Sequence, residues 1–170
     1  MGYTLPRKYL SASQVTKYLS CPQQYYRQYV LDERPDTLRP VSMSVGSSVH
    51  KLVENKLCGL ISGADITEAQ LYQETNLEAF FEGSDLEEQE PEYWTNYAKI
   101  LYKTWYKGVG TSIMPVESEL KFESLVGDVP VLGYIDYIDA SSGKLEICDL
   151  KVVKRSKSEA DCRNSVQLAM

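Results

Sequence analysis

The sequence predicts a mixed α/β domain in which helices come first, three strands follow as a meander, and one further helix comes last. Apolar side chains recur with helical spacing before residue 110, whereas apolar and polar residues alternate after Pro115. A chain of 170 residues with 43% apolar residues is long enough to bury one core. We therefore expect a single domain, mainly helical over residues 1–110, with a sheet over 115–152 and the start of a last helix over 158–170.

The first three predicted helices each have a boundary residue of a favoured type. Ser11 or Ser13 can cap the first helix, and Pro22 suits the first turn of the second. Gly46 is predicted to open the third helix. Gly59 is predicted to end it, because glycine readily adopts the left-handed conformation found just after helices.

Two more helices are predicted before the strands. Thr67-Glu68-Ala69-Gln70 matches a capping box, which places a helix start at Thr67. The last of the five covers Pro91 to Lys107 and ends before Gly108. The segment from Asp32 to Pro40 contains two prolines and alternating charge, and it indicates a loop.

Three stretches have the alternation of half-buried strands: Val116 to Phe122, Val131 to Ile138 and Leu145 to Lys151. Val126-Gly127-Asp128 and Ser141-Ser142-Gly143 supply the turns, which favours an antiparallel meander. A final helix is predicted to begin near Ser158 and to continue at Met170. We therefore expect the last part of the domain to be missing.

The net charge of −6 argues by itself against a nucleic-acid partner, but the charge is unevenly distributed. Residues 61–100 carry ten Asp/Glu and one Lys/Arg, whereas residues 1–60 carry eight Lys/Arg and four Asp/Glu. Four more Lys/Arg lie within residues 151–157. The sequence is therefore compatible with a phosphate-binding face.

The sequence also predicts the compartment. No run of about 18 apolar residues occurs, and residues 1–8 lack the apolar core of a secretory signal. The cysteines are widely spaced without a CxxC pair, which suits reduced thiols: Cys21, Cys58, Cys148 and Cys162. We expect a cytoplasmic protein with no membrane partner.

The first chemical pattern is Asp149-Leu150-Lys151. Alternate residues of a strand share a face, so Asp149 and Lys151 would point the same way, either as a simple ion pair or as a metal ligand beside a base. In the preceding strand Asp136 shares a face with apolar residues, an unusual place for a charge unless it binds something. If the strands pair, the two aspartates approach each other, and a cation would relieve their repulsion. The alternative for Asp136 is a surface residue near the turn.

His50 is the only histidine. On the predicted helix it shares a face with Gly46 and Glu54, each four residues away. A single helical histidine beside an apolar stripe is more often packed or exposed than a ligand. Its neutral imidazole could nevertheless complete an oxygen-rich site and shift the preference from Mg²⁺ toward Mn²⁺.

Taken in order, these pieces resemble the RecB-like nuclease branch of the PD-(D/E)XK superfamily, which includes the nuclease domains of RecB and AddB and the RecB-like CRISPR-associated exonucleases. The pattern of that branch is GxxxH, an acidic strand residue, GxxD, DxK and QxxxY. The matching residues are Gly46 with His50, Glu119, Gly133 with Asp136, Asp149 with Lys151, and Gln167. Ser11-Ala12-Ser13 and Cys21-Pro22 also resemble the opening helices of the branch. The chain ends at Met170, before the tyrosine of QxxxY would fall.

The resemblance implies a restriction-endonuclease-like core. It also implies a metal-dependent enzyme that hydrolyses the phosphodiester bonds of DNA, and within that class an exonuclease. It implies a Mg²⁺ or Mn²⁺ ion held by His50, Asp136, Asp149 and the backbone carbonyl of Leu150. It also implies a helicase or recombination protein as partner, with phage recombination, repair and CRISPR adaptation all open.

The other catalytic roles come from the same resemblance. Lys151 would position and help to deprotonate the attacking water, or contact the scissile phosphate. Glu119 would hold a second ion or orient a water, and Gln167 would steady the site from the last helix. Glu54 would pair with a lysine or support His50. Some members of the family bind an iron–sulfur cluster through one early and three late cysteines. The late trio is absent here, so no cluster is expected.

Two other functions stay open at this stage. One is a DNA-binding module with the same fold but no turnover, in which Tyr25, Tyr26 and Tyr29 stack on unpaired bases rather than packing between helix and sheet. The other is a structural domain that binds a partner through the acidic residues 61–100.

Overall fold

The computed structural model describes residues 7–33, 37–64, 66–86, 89–155 and 157–165. The helices are α1 (Ala12–Ser20), α2 (Pro22–Tyr25), α3 (Val41–Ser62), α4 (Glu68–Thr75), α5 (Pro91–Trp105) and α6 (Glu159–Arg163). The strands are β1 (Arg39–Pro40), β2 (Ser84–Asp85), β3 (Pro115–Val126), β4 (Val129–Asp139) and β5 (Glu146–Cys148). Shorter helical turns follow α2, α4 and α5: Tyr26–Val30, Leu77–Phe81 and Tyr106–Gly110. Within the described part of the chain, no helix is both long and apolar enough to cross a membrane.

The chain forms two compact units. The first unit comprises residues 1–36, 121–134 and 153–170, and the second comprises residues 37–120 and 135–152. The predicted order of helices followed by a three-stranded antiparallel meander is confirmed, with strand order β3-β4-β5.

The first unit begins with a short segment that pairs with β4. Leu10 N donates to Pro130 O at 2.9 Å, and Leu132 N donates to Leu10 O at 2.9 Å, so this segment runs parallel to β4. α1 then begins where the sequence predicts, because the Ser11 hydroxyl accepts a hydrogen bond from Gln14 N at 3.4 Å. In the same unit a Cβ on Gly133 would collide with the ring of Phe122, so only glycine fits there.

The core of the second unit forms around α3. One apolar cluster joins α3 to α4, α5 and β4, and it comprises Leu52, Val53, Leu57, Leu71, Leu77, Tyr102 and Tyr137. A second cluster lies nearer the start of α3 and comprises Val41, Val45, Val49, Phe81 and Ala98. Each fully buried Leu or Val side chain contributes about 1.5–3 kcal/mol. These contacts fix α3, and with it the position of His50.

The predicted boundaries of α3 were wrong at both ends. The helix begins at Val41 rather than Gly46 and continues to Ser62 rather than stopping at Gly59. Gly59 lies inside the helix, where an added Cβ would come within 2.5 Å of Ile66 Cδ1. Its role is therefore close packing, and the helix ends instead at Gly63, whose φ of 73° is left-handed.

The other helices differ less from prediction. Thr67 caps α4 with the predicted capping box. α5 ends at Trp105, and a π-helical turn continues to Gly110 rather than stopping before Gly108. Ser158 caps α6 as expected. The predicted continuation of that helix to Met170 falls on residues 166–170, which lie outside the described ranges.

The last strand is shorter than predicted. β5 ends at Cys148 rather than Lys151, and it pairs with β4 so that Tyr137 lies opposite Cys148. A small parallel pairing of β1 with β2, Arg39 opposite Ser84, was not predicted.

A buried carboxylate holds the turn between β4 and β5. Asp139 is 7% exposed, and its oxygens accept hydrogen bonds from Met114 N at 2.7 Å, Ser141 N at 3.0 Å and Ser141 Oγ at 2.6 Å. Burial opposes the charge, but the hydrogen bonds outweigh it and hold the pKa of Asp139 below its usual value. This aspartate is therefore part of the scaffold.

Candidate metal centre

His50 and Asp136 come together in the second unit, one from α3 and one from β4. His50 Nδ1 lies 3.7 Å from Asp136 Oδ2, and the two side chains are 29% and 17% exposed. This separation is too long for a hydrogen bond. It is short enough for both atoms to contact one ion.

Glu119 reaches the same point from β3. Its φ of 52° lies in the left-handed region, which is uncommon for a residue with a side chain and costs about 1–3 kcal/mol where it persists. Ligand atoms of His50, Glu119 and Asp136 all lie within 4.8 Å of one another, which makes this trio a candidate metal-binding group among the described residues. The strained backbone of Glu119 is therefore located at a cluster of potential ligands.

The electrostatics of the trio favour a cation. Partial burial, followed by the negative charges of Asp136 and Glu54, raises the pKa of the Glu119 carboxyl above its usual value, while His50 and Lys51 oppose this effect. Negative charge is thus in excess at the point where the three side chains meet. A divalent cation would relieve that excess.

The donor types also fit a divalent ion. Six ligands about 2.1 Å from Mg²⁺ lie roughly 3 Å apart when adjacent and about 4.2 Å apart when opposite. The 3.7 Å between His50 Nδ1 and Asp136 Oδ2 falls between these two values. Carboxylate oxygens suit Mg²⁺ and Mn²⁺, and an imidazole nitrogen adds a preference for Mn²⁺.

Asp136 is held in place by the backbone of the next segment. Leu150 N donates to Asp136 Oδ2 at 2.6 Å, and Leu150 packs against both core clusters. The core therefore fixes the carboxylate through one short hydrogen bond. The predicted role of the Leu150 carbonyl as a metal ligand stays a prediction.

Asp149 and Lys151 form a pair of their own just after β5. Lys151 Nζ lies 2.8 Å from Asp149 Oδ1, and their side chains are 38% and 21% exposed. The two side chains thus contact each other, although β5 has already ended. Asp149 is not a member of the trio, so its predicted role as a metal ligand stays a prediction. The same holds for Gln167, which lies outside the described residues.

An open pocket of about 400 Å³ lies beside the trio, with His50, Glu119, Glu54 and Lys51 among the residues that line it. Lys51 Nζ pairs with Glu54 Oε1 at 2.6 Å, so Glu54 has the lysine partner that the sequence analysis allowed. Lys51 itself was not predicted. Its spacing of three residues from Glu54 on a helix is the pattern that would have identified it.

The tyrosines of α2 and the turn after it contact one another in the first unit. The rings of Tyr25 and Tyr29 have centroids 5.2 Å apart, and Tyr18 meets Tyr25 edge-on at 5.5 Å. Tyr26 is 52% exposed. Two of the three tyrosines considered for base stacking therefore already have aromatic partners, and Tyr26 keeps an accessible ring.

Comparison with models of known protein families matches residues 9–170 to the PD-(D/E)XK nuclease superfamily. The helices and the three-stranded antiparallel sheet are consistent with the restriction-endonuclease-like fold of that family. No curated protein matches the chain at a significant level.

Proposed function

The chain belongs to the PD-(D/E)XK nuclease superfamily, a group of metal-dependent nucleases, and we propose that it is a DNA exonuclease of the RecB-like branch. The observation that carries the proposal is the convergence of His50, Glu119 and Asp136 within 4.8 Å. These residues lie far apart in sequence and on three different elements. Their meeting supports a shared ligand better than a shared structural role.

The proposed ligands of Mg²⁺ or Mn²⁺ are His50, Asp136 and Asp149 with the carbonyl of Leu150, and Glu119 completes the set or holds a second ion. Such an ion supplies charge neutralisation at the phosphate under attack and lowers the pKa of water. The protein orients the donors: α3 holds His50, and the Leu150 N–H holds Asp136 at 2.6 Å. Asp149 is proposed for this set because it directly follows β5, whose last residue Cys148 pairs with Tyr137, the neighbour of Asp136.

Lys151 is the proposed proton-handling group. Asp149 Oδ1 holds Lys151 Nζ at 2.8 Å, so the ammonium is oriented before substrate arrives. As a neutral amine Lys151 would take a proton from the attacking water, whereas as an ammonium it would donate a hydrogen bond to the scissile phosphate. Gln167 is proposed to steady the site.

The finer assignment rests on the ordered sequence motifs. GxxxH at Gly46 and His50, GxxD at Gly133 and Asp136, and DxK at Asp149 and Lys151 occur in the order of the RecB-like branch. This order supports DNA as substrate and exonuclease action. We also propose that the protein acts in the cytoplasm with a helicase or recombination partner.

The test is cleavage of end-labelled DNA with Mn²⁺, with Mg²⁺ and with EDTA, using linear and circular substrates. We expect degradation of linear DNA with either metal and none with EDTA or on circular DNA. Cleavage of circular DNA would contradict the exonuclease assignment. DNA binding without cleavage in any metal would favour the module that keeps the fold but has lost turnover.

A further inference from the structure

The two units carry opposite charge. The first unit contains ten Lys/Arg and seven Asp/Glu, a net charge of +3, whereas the second contains eight and seventeen, a net charge of −9. The net value of −6 for the chain hides this difference. The charge of the first unit is therefore compatible with a polyanionic ligand, although the protein as a whole is acidic.

The first unit contains a groove of about 630 Å³ beside the β3–β4 hairpin. Its lining includes two lysines and two tyrosines among apolar residues: Lys8, Lys121, Tyr9 and Tyr134. The ring of Tyr134 is well exposed, at 53%. The groove thus combines ammonium groups with an accessible aromatic ring.

The groove is held by backbone hydrogen bonds. The parallel pairing of Leu10 with β4 fixes the segment that carries Lys8 and Tyr9. Gln14 Nε2 from α1 donates to Tyr9 O at 3.2 Å and anchors that segment a second time. The position of the tyrosine and lysine is therefore set before any ligand binds, which lowers the entropy lost on binding.

Aromatic rings beside lysines match the chemistry of a single nucleic-acid strand. Unpaired bases expose their faces to a tyrosine ring, and lysines neutralise the phosphates between them. A duplex hides its base faces in the stack, so Tyr134 could not stack on it. We propose that the groove lined by Lys8, Tyr9, Lys121 and Tyr134 binds single-stranded DNA. The choice of DNA rests on the proposed function, whereas the requirement for an unpaired strand comes from the groove.

The Glu123 carboxylate competes with a DNA phosphate for Lys121. Lys121 Nζ lies 2.5 Å from Glu123 Oε1, and both side chains are more than half exposed, at 52% and 68%. A phosphate that binds Lys121 must replace this carboxylate. Removing the charge of Glu123 should therefore strengthen binding, the opposite of the effect expected at the lysines.

The experiment measures binding of a short fluorescent oligothymidine by anisotropy in EDTA, where no cleavage occurs. Tyr134→Leu and Lys121→Glu should each weaken binding on the order of 10-fold, the weight of one stacked base or one phosphate contact. Tyr97→Leu and Lys144→Glu make the same changes at exposed positions of the second unit and should leave affinity unchanged. Glu123→Gln should tighten binding.

Two further readings decide the outcome. Lys121→Gln should lower the slope of log affinity against log salt by about 0.7, as expected for one lost contact with a single strand. Lys8→Glu, at an exposed position, repeats the test if Lys121→Glu fails to fold. Equal binding of duplex and single strand, or equal affinity of the groove variants and their controls, would overturn the proposal. DNA cleavage with Mn²⁺ is measured separately. If the groove binds single-stranded DNA but the protein does not cleave DNA, the proposed nuclease activity is refuted and the proposed binding groove is supported.

Discussion

The two compact units of this protein differ in the groups that they bring together. The first is basic and places lysines beside tyrosine rings. The second is acidic and brings an imidazole and two carboxylates to within 4.8 Å. A net charge taken over the whole chain obscures both facts. Charge therefore indicates the ligand only when it is counted over the residues that pack together.

The largest expected effect comes from Asp136, where the acidity of the second unit is proposed to bind metal. Asp136→Asn keeps an oxygen that can accept from Leu150 N but removes the charge that faces His50. We expect Mn²⁺ binding, measured by calorimetry, to be lost and cleavage to fall to the level found with EDTA. Asp128→Asn makes the same change in the exposed β3–β4 turn and should alter neither. Unchanged Mn²⁺ affinity in Asp136→Asn would place any ion elsewhere.

The second prediction concerns Lys151, a basic residue of the acidic unit that is proposed to act in catalysis. Lys151→Ala removes the ammonium held by Asp149 and should lower the cleavage rate by about 10²–10⁴-fold, the usual weight of a positioned proton-transfer group. Mn²⁺ affinity should persist, which separates this variant from Asp136→Asn. The matched control is Lys144→Ala, at an exposed lysine of the same unit. Full activity in Lys151→Ala would remove this lysine from the mechanism.

Asp139 is an acidic residue of the second unit whose role is structural rather than metal-binding. Asp139→Asn weakens hydrogen bonds to Met114 and Ser141 at a buried site and should lower the free energy of unfolding by about 1–3 kcal/mol. Because the folded state lowers the pKa of Asp139, its contribution is present at neutral pH and is lost as pH falls below the usual value of 3.8. Thermal unfolding across that range should show the wild type approaching the variant. A constant difference down to low pH would contradict this role.

The sheet was predictable from the sequence because its signals are local. Alternation and glycine-containing turns identified β3, β4 and the meander. The start of α3 was not predictable, because Val41-Ser42-Met43-Ser44-Val45 alternates as a strand does. Ser44 takes a core position in the helix through a 2.6 Å hydrogen bond to Ser84, forty residues away.

The candidate site shows the same division. The motifs identified His50, Glu119 and Asp136, and the structure brings these three together. Nothing in the sequence indicates that Glu119 adopts a φ of 52°. Nor does it indicate that β5 ends early, with the Leu150 N–H bonded to the Asp136 side chain. The pairing of Leu10 with β4, which builds the groove, is likewise a contact between distant segments.

The smallest expected effect concerns Glu119, whose charge the folded protein disfavours. Since its pKa is raised on folding, the penalty is absent below the usual value of 4.5 and grows as pH rises through it. In EDTA, Glu119→Gln should therefore raise the Tm at neutral pH by about 1–2 °C, an effect kept small by solvent screening, and the gain should vanish in acid. Glu117→Gln, at an exposed position of the same strand, should show neither change. Mn²⁺ should reverse the order, because an ion held by Glu119 stabilises the wild type more than the variant. If Glu119→Gln still had the higher Tm in Mn²⁺, the Glu119 carboxylate would not contact the ion, and this acidic residue of the second unit would not be a metal ligand.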